Sequence, residues 1–175
     1  MQVHGSRAGL VWLRIVRFPG PIGGTFETVT SDRIPLPGAF ASTLPTSTYK
    51  GPRGTFYLYQ VAPYVVYTQA VGHMDHGCAE AFMAFVNRTF DRGRTTTLFH
   101  DWSGITGYDS DARATLTRWT IERRSVIGSV SVLVKSKLLS MGIATANLAT
   151  MPMGVTFHSH TDRAVFEREF LAAMK

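Results

Sequence analysis

The sequence predicts an α/β fold. A mainly parallel β-sheet opens with an antiparallel hairpin and carries four helices, in the order β-β-α-β-α-β-α-β-α. Three observations point to it. From Thr55 onward, short runs of aromatic and β-branched residues alternate with longer stretches whose apolar residues recur at helical spacing. Such alternation implies crossover connections, and hence parallel strands with helices packed on them. The chain has 175 residues, 45% of them hydrophobic, which is enough for one domain with a full core.

The hairpin comes first. "TFYLYQVAP" and "YVVYTQAVGHM" suit a pleated sheet, and Ala62-Pro63 between them supplies the turn. "DHGCAEAFMAFVNRTF" then changes period. Ala79, Phe82, Met83, Val86 and Phe90 fall on one helical face, Asp75 is placed to cap the start, and Gly93 to stop the helix. "TTTLFHD", residues 95–101, is the next strand and the central one. A loop follows from Trp102 to Asp111, its turn permitted by Gly104 and Gly107. The second helix, residues 111–124, places Ala112, Leu116 and Trp119 on one side and Ile121 on the other. "SVSVLVK" is a strand. "SKLLSMGIATANLAT" is a third helix, weakened by Gly142, and "GVTFHSH" a further strand. "TDRAVFEREFLAAMK" closes the chain as a helix capped by Thr161 or Asp162. Ala164, Val165, Phe166, Phe170 and Leu171 are available for its packing.

Residues 1–53 have a different texture. "FPGPIGG", "IPLPGAF" and "YKGPRG" are turn and linker chemistry, so this part reads as a mostly irregular extension with room for one short strand. The folded domain is expected over residues 54–175. No acid occurs in the first 25 residues, and one reading is that the extension stems from an upstream start codon. The net charge is +6, of which residues 1–53, with six basic and two acidic side chains, carry +4. The high pI therefore belongs mostly to the extension and gives no case for nucleic-acid binding by the folded part.

A single cysteine, Cys78, excludes an internal disulfide and a multi-cysteine metal site. It fits a reducing compartment. No apolar run reaches the roughly 20 residues needed to cross a bilayer. "GLVWLRIVRF" is too short, is broken by Arg14 and Arg17, and is followed by no signal-peptide cleavage pattern.

"HMDHGC" brings His73, Asp75, His76 and Cys78 together in sequence. A Cys78 thiolate in the first turn of a helix would have a lowered pKa, and His73 or His76 would serve as its base. The alternative is that Asp75 caps the helix and Cys78 is a small packed residue. The two histidines straddle a strand–helix boundary without metal-ligand spacing, so no metal and no cofactor is expected. His158 and His160 alternate onto one face of a strand, which reads as a polar face. Lys135 and Lys137 read as surface charges. Phe85, at the flank of the first helix's apolar face, would form a self-association patch with Met83 if exposed.

Three segments carry a resemblance. "VGHMDHGCAEAFMAFV", "HDWSGITGYDSDARATL" and "HTDRAVFEREF" come in the order, and with the intervening elements, of STAS domains. The chain resembles the STAS-like proteins related to anti-anti-sigma factors and to the SEC14-type lipid-binding fold, over about residues 55–174. The resemblance implies a SpoIIAA-like fold and a bacterial, cytoplasmic regulator that binds proteins. In that family an Asp-Ser-Ser/Thr triplet at a helix N-terminus bears the phosphorylated hydroxyl. Asp109 takes the place of the aspartate, Ser110 that of the first hydroxyl, and Asp111 falls at the acceptor. A serine kinase cannot modify Asp111, which already carries a negative charge. Either Ser110 is modified instead, or the domain is held in one state, or the loop has no phospho-switch. Against all three stands simple capping, in which Asp109, Ser110 and Asp111 satisfy free N–H groups at the helix start.

Two functions of different class follow, with a third behind them. The first is a non-catalytic regulatory domain that binds a protein partner or itself through residues 102–111, with Trp102, Tyr108, Asp109, Ser110 and Asp111 as the contact residues. The second is a small hydrolase or transferase using Cys78 with His73 or His76. The third takes the SEC14-like kinship as pointing to an apolar small molecule or lipid between sheet and helices.

Overall fold

The structure is a computed structural model. It describes residues 46–90, 94–135, 140, 152 and 154–175, together with the strand placement of 18–19 and 25–27. Two short strands, β1 (Phe18–Pro19) and β2 (Thr25–Glu27), lead to β3 (Ser47–Lys50), β4 (Gly54–Ala62) and β5 (Val65–Met74). Helix α1 (His76–Asn87), strand β6 (Thr96–Tyr108), helix α2 (Ser110–Glu122), strand β7 (Ile127–Leu133), strand β8 (Thr156–His160) and helix α3 (Arg163–Ala173) complete the described elements. The third helix expected over residues 136–150 lies outside the described residues apart from Ser140, as do Gly93, Lys137 and Gly142.

All eight strands form one sheet in sequence order. β1 to β5 pair antiparallel, and β5 to β8 pair parallel. The sheet is therefore more mixed than expected. The segment read as an extension with room for one short strand supplies three antiparallel strands, β1, β2 and β3, and Tyr49 of β3 is buried in the core at 1% exposure.

The parallel crossovers from β5 to β6 and from β6 to β7 place α1 and α2 against one core. There Phe82 of α1 meets Trp119 of α2 edge-on at 5.5 Å between ring centroids. The Trp119 indole N–H donates to the Asn87 side-chain oxygen at 3.2 Å. Phe56, Leu58, Val66, Leu98, Val130 and Val132 form the sheet side of this core. Phe85 is buried at 3% exposure, which removes the self-association patch. Its side chain lies on the inner flank of α1, because the apolar stripe of this helix is wide enough to include it.

α3 covers the opposite face. Phe166 and Phe170 pack on Tyr59, Tyr67 and Phe99, all five fully buried, with Tyr67–Phe170 and Phe99–Phe170 centroids at 5.2 and 5.3 Å. These rings pack directly on one another between α3 and the sheet. The outer residues Val165 and Leu171 stay exposed, contrary to the packing expected of them. Asp162 caps α3, accepting from the backbone N–H groups of Ala164 and Val165. The start of the helix is tied to the central strand. The Arg163 guanidinium donates to the buried Asp101 carboxylate at 2.8 Å, and the Ser103 hydroxyl donates to its other oxygen at 2.6 Å. A buried carboxylate is tolerated because it is both paired and hydrogen-bonded.

His100 lies on the other face of β6 from Asp101. Its ring stacks on Trp102 at 5.1 Å, meets Phe82 edge-on, and shares a 2.7 Å hydrogen bond with the Thr68 hydroxyl. Burial pushes its pKa down to about 3. In the unfolded chain the value is about 6.5. As pH falls between those values the unfolded chain binds a proton that the folded chain refuses. Stability is thus full above about pH 6.5 and declines toward pH 3. Urea midpoints of the wild type are expected to fall more steeply through this window than those of His100→Phe. Parallel curves would refute the assignment of His100 as a buried neutral group.

Candidate functional site

The site is built on two close backbone approaches. Gly54 and Gly72 pair across β4 and β5. A Cβ at Gly54 would lie 2.4 Å from the His73 carbonyl oxygen, and one at Gly72 would lie 2.6 Å from that of Arg53. Gly72 also has φ +87°, in the left-handed region that suits glycine. Only glycines let the turn at residues 51–54 lie this close. The His73 N–H then donates to the Arg53 carbonyl at 2.9 Å, and the two side chains emerge together.

Their shared partner is Asp109. The Asp109 N–H donates to the Met74 carbonyl at 3.0 Å, which sets its carboxylate beside the end of β5. His73 Nε2 lies 2.7 Å from Asp109 Oδ1, and the Arg53 guanidinium pairs with Oδ2. The hydrogen bond from His73, with the Arg53 charge, holds the Asp109 carboxyl below its ordinary value. The imidazole can reach because it lies over Gly107, where a Cβ would be 3.0 Å from Nδ1.

This corrects the expected loop. Residues 102–108 are not a turn but the second half of β6, paired with β5 as far as Met74–Tyr108. The ten-residue β5 offers a pairing edge for longer than the turn chemistry of Gly104 and Gly107 suggested. The glycines serve close approach within a strand, next to irregularities in the register. The strand-to-helix connection shrinks to Asp109. Its side chain does not cap α2, because it is engaged by Arg53 and His73 instead.

The starts of α1 and α2 meet at this rim. Asp75 caps α1 as expected, accepting from the Cys78 N–H at 2.9 Å. His76 lies 3.4 Å from Glu80 and 3.8 Å from Asp111, so it bridges the two helices. Ser110 and Asp111 are exposed on the first turn of α2, and the Asp111 carboxylate accepts from the Ala112 N–H at 2.8 Å. Tyr108 is half-buried against the core, with the Arg113 guanidinium 6.0 Å from its ring centroid. Trp102 is packed on His100 and stands back from the rim.

The Cys–His arrangement is not assembled. Cys78 is fully buried, and burial pushes its thiol up to about 12, overriding the helix-terminus effect that was expected to lower it. His73 faces Asp109, and His76 faces Glu80 and Asp111. Among the described residues no three metal-ligating side chains converge. His158 and His160 do share a face, with rings 6.5 Å apart, and His160 Nε2 lies 2.8 Å from Glu169. Sequence reasoning missed Arg53, which was counted among the charges of the extension. The signal was the spacing of Gly51 and Gly54 around it.

The architecture matches solved structures. An uncharacterised protein of the DUF3478 family with a SpoIIAA-like fold, from Shewanella loihica PV-4, superposes with a TM-score of 0.53 at 15% identity, over 70% of this chain and 94% of that one. This chain has the SpoIIAA-like fold. Two further matches are the anti-sigma factor antagonist SpoIIAA in its unphosphorylated form and the Bacillus cell fate determinant SpoIIAA in the phosphorylated form. Each is 19% identical, with TM-scores of 0.46 and 0.48, over 66% and 65% of this chain and 97% and 98% of those. No protein-family model and no curated protein matches the sequence. At these identities the SpoIIAA-like likeness concerns architecture, and function must be argued from the site.

The Asp109 carboxyl should titrate below the ordinary aspartate value of about 3.9. In side-chain carbon NMR, His73→Phe should move its midpoint upward, and Arg53→Gln should do the same to a smaller degree. An unchanged midpoint in both variants would show that the rim cluster does not form in solution.

Proposed function

We propose that this chain is a non-catalytic regulatory domain that binds a protein partner, or a second copy of itself, at the rim where α1 and α2 begin. The observation that carries the reading is the fixed position of the exposed side chains there. Ser110 and Asp111 stand on the first turn of a helix, with His76 beside Asp111 and the Arg53–His73–Asp109 cluster one residue before. Contact residues held on rigid elements lose little entropy on binding. Three cationic or titratable groups, Arg53, His73 and His76, and two carboxylates, Asp109 and Asp111, give such a surface a charge pattern that a partner can complement.

The residues expected to contact a partner divide accordingly. Ser110 and Asp111 are the direct contacts, Asp109 holds the cluster, Tyr108 supports it from within, and Trp102 is structural. A kinase would reach Ser110 rather than the residue after it, and Asp111 supplies a permanent charge at the neighbouring position. The buried, protonated Cys78 supports the non-catalytic reading over the thiol enzyme.

The test compares partners retained from the source cells by the tagged wild type, by Ser110→Arg/Asp111→Lys, and by Arg168→Ser on the exposed side of α3. A partner kept by the wild type and by Arg168→Ser, and reduced at least tenfold by the rim variant, is the expected result. Sedimentation of the purified chain reads self-association directly. Identical profiles from all three proteins, with no rim-dependent self-association, would remove the proposal.

A further inference from the structure

The end of the sheet opposite the rim carries a second surface. The parallel strands begin there, at Val65, Thr96 and Ile127, and three turns are laced together. The Thr96 N–H donates to the Val126 carbonyl at 2.7 Å, and the Thr97 N–H to the Tyr64 carbonyl at 2.8 Å. Four exposed arginines project from this end: Arg88 closing α1, Arg94 before β6, and Arg123 and Arg124 after α2. Among the described residues the one acid in the same turns is Glu122. Among the described residues none of the four arginines is paired with a carboxylate.

Helix ends account for part of this pattern. The C-termini of α1 and α2 each bring about half a negative charge, which nearby cations complement. Two such ends amount to about one charge, and Glu122 to another, so four guanidinium groups leave an excess of about two. Asp91 and Arg92, adjacent in sequence, cancel one another. Three of the arginines are already oriented, and Arg124 donates to the Ile121 carbonyl at 3.1 Å. Arg94 lies over the Tyr64 ring at 4.8 Å from its centroid, and Arg88 lies over Phe85 at 5.8 Å.

The geometry points to peripheral binding of an anionic lipid surface at this arginine pole. The cations come from two separate connections, Arg88 and Arg94 between α1 and β6 and Arg123 and Arg124 after α2, rather than from one helix. Cations presented from more than one element at one end of the sheet suit the many phosphate groups of a bilayer surface. Arginine pairs with phosphate oxygens in bidentate fashion. The contact would be electrostatic and reversible, since no helix among the described residues is long and apolar enough to span a membrane. It would leave the rim at the other end of the sheet free for a protein.

Flotation of the full chain with vesicles tests this. Binding is expected to vesicles of 30% phosphatidylglycerol in phosphatidylcholine, of roughly that composition to keep the surface strongly anionic, and not to phosphatidylcholine alone. It should fade when salt is raised from about 0.05 M to about 0.5 M. Removing two arginines near the surface should weaken it roughly 30-fold. Arg123→Ser/Arg124→Ser is the primary variant, Arg94→Ser the independent second one, and Arg168→Ser the control that keeps full binding. Thermal melts confirm that each variant is folded. Binding that survives in both variants places the contact on the basic N-terminal 53 residues and overturns the proposal. So does the absence of binding to anionic vesicles. Preferential capture by a single-stranded oligonucleotide or a poly-glutamate peptide, measured as competition against the same vesicles, would also overturn it by assigning the pole to a linear polyanion.

Discussion

The parallel pairing of β5 with β6 is the constraint the rest inherits. It fixes β6 as the central strand, with β7 on its other side, and so fixes which side chains meet each helical layer. One face of β6 gives Leu98, His100 and Trp102 to the layer of α1 and α2. The other gives Phe99 and Asp101 to α3. Because the pairing continues to Met74–Tyr108, it also carries the strand past the body of the sheet and delivers Asp109 to His73 and Arg53. Were the pairing to stop at Asp101, α2 would still form, but its first turn would have no fixed relation to α1.

The two ends of the sheet differ in charge for a common reason. Parallel crossovers start α1 and α2 at one end and finish them at the other. Carboxylates gather where the helices start, at Asp75, Asp109 and Asp111, and arginines where they finish, at Arg88 and Arg123. Helix dipoles favour this arrangement. What the dipoles do not explain is the surplus at each end. Asp109 is held by side chains rather than by the helix it precedes, and the arginine pole carries more charge than its helix ends can offset.

Much of the fold was legible in the sequence, and each miss has a physical cause. The hairpin, α1 with its Asp75 cap, the central strand and the closing helix follow from period and capping, which are local. Trp102 to Tyr108 was misread because Gly104 and Gly107 have the same composition whether they make a turn or permit a close approach, and the deciding partner, β5, lies about thirty residues away in the chain. The sequence leaves Cys78 open between a lowered-pKa thiolate and a small packed residue, because helix position alone suggests the first, whereas the depth of burial that decides for the second depends on packing of distant residues. The exposure of Phe85 is left open by the sequence and that of Val165 was misassigned, because the apolar arcs of α1 and α3 are set by their neighbours. Arg53 was hidden by an irregular, glycine-rich context. Its partners His73 and Asp109 are distant in sequence, and only the Gly54–Gly72 approach brings the three together.

The account depends most directly on β6 running as a strand to the edge of the rim. Native-state amide hydrogen exchange measures this at two amides, those of Asp109 and His73. Each donates to a backbone carbonyl in the ordered arrangement, Asp109 to Met74 and His73 to Arg53. Protection at both sites well above that of an open loop, and lost together when Gly72→Val forces β4 and β5 apart, is the predicted result. Exchange at Asp109 as fast as in an unstructured peptide, with Leu98 still protected, would show that the strand ends at the body of the sheet and that the rim is not preorganised.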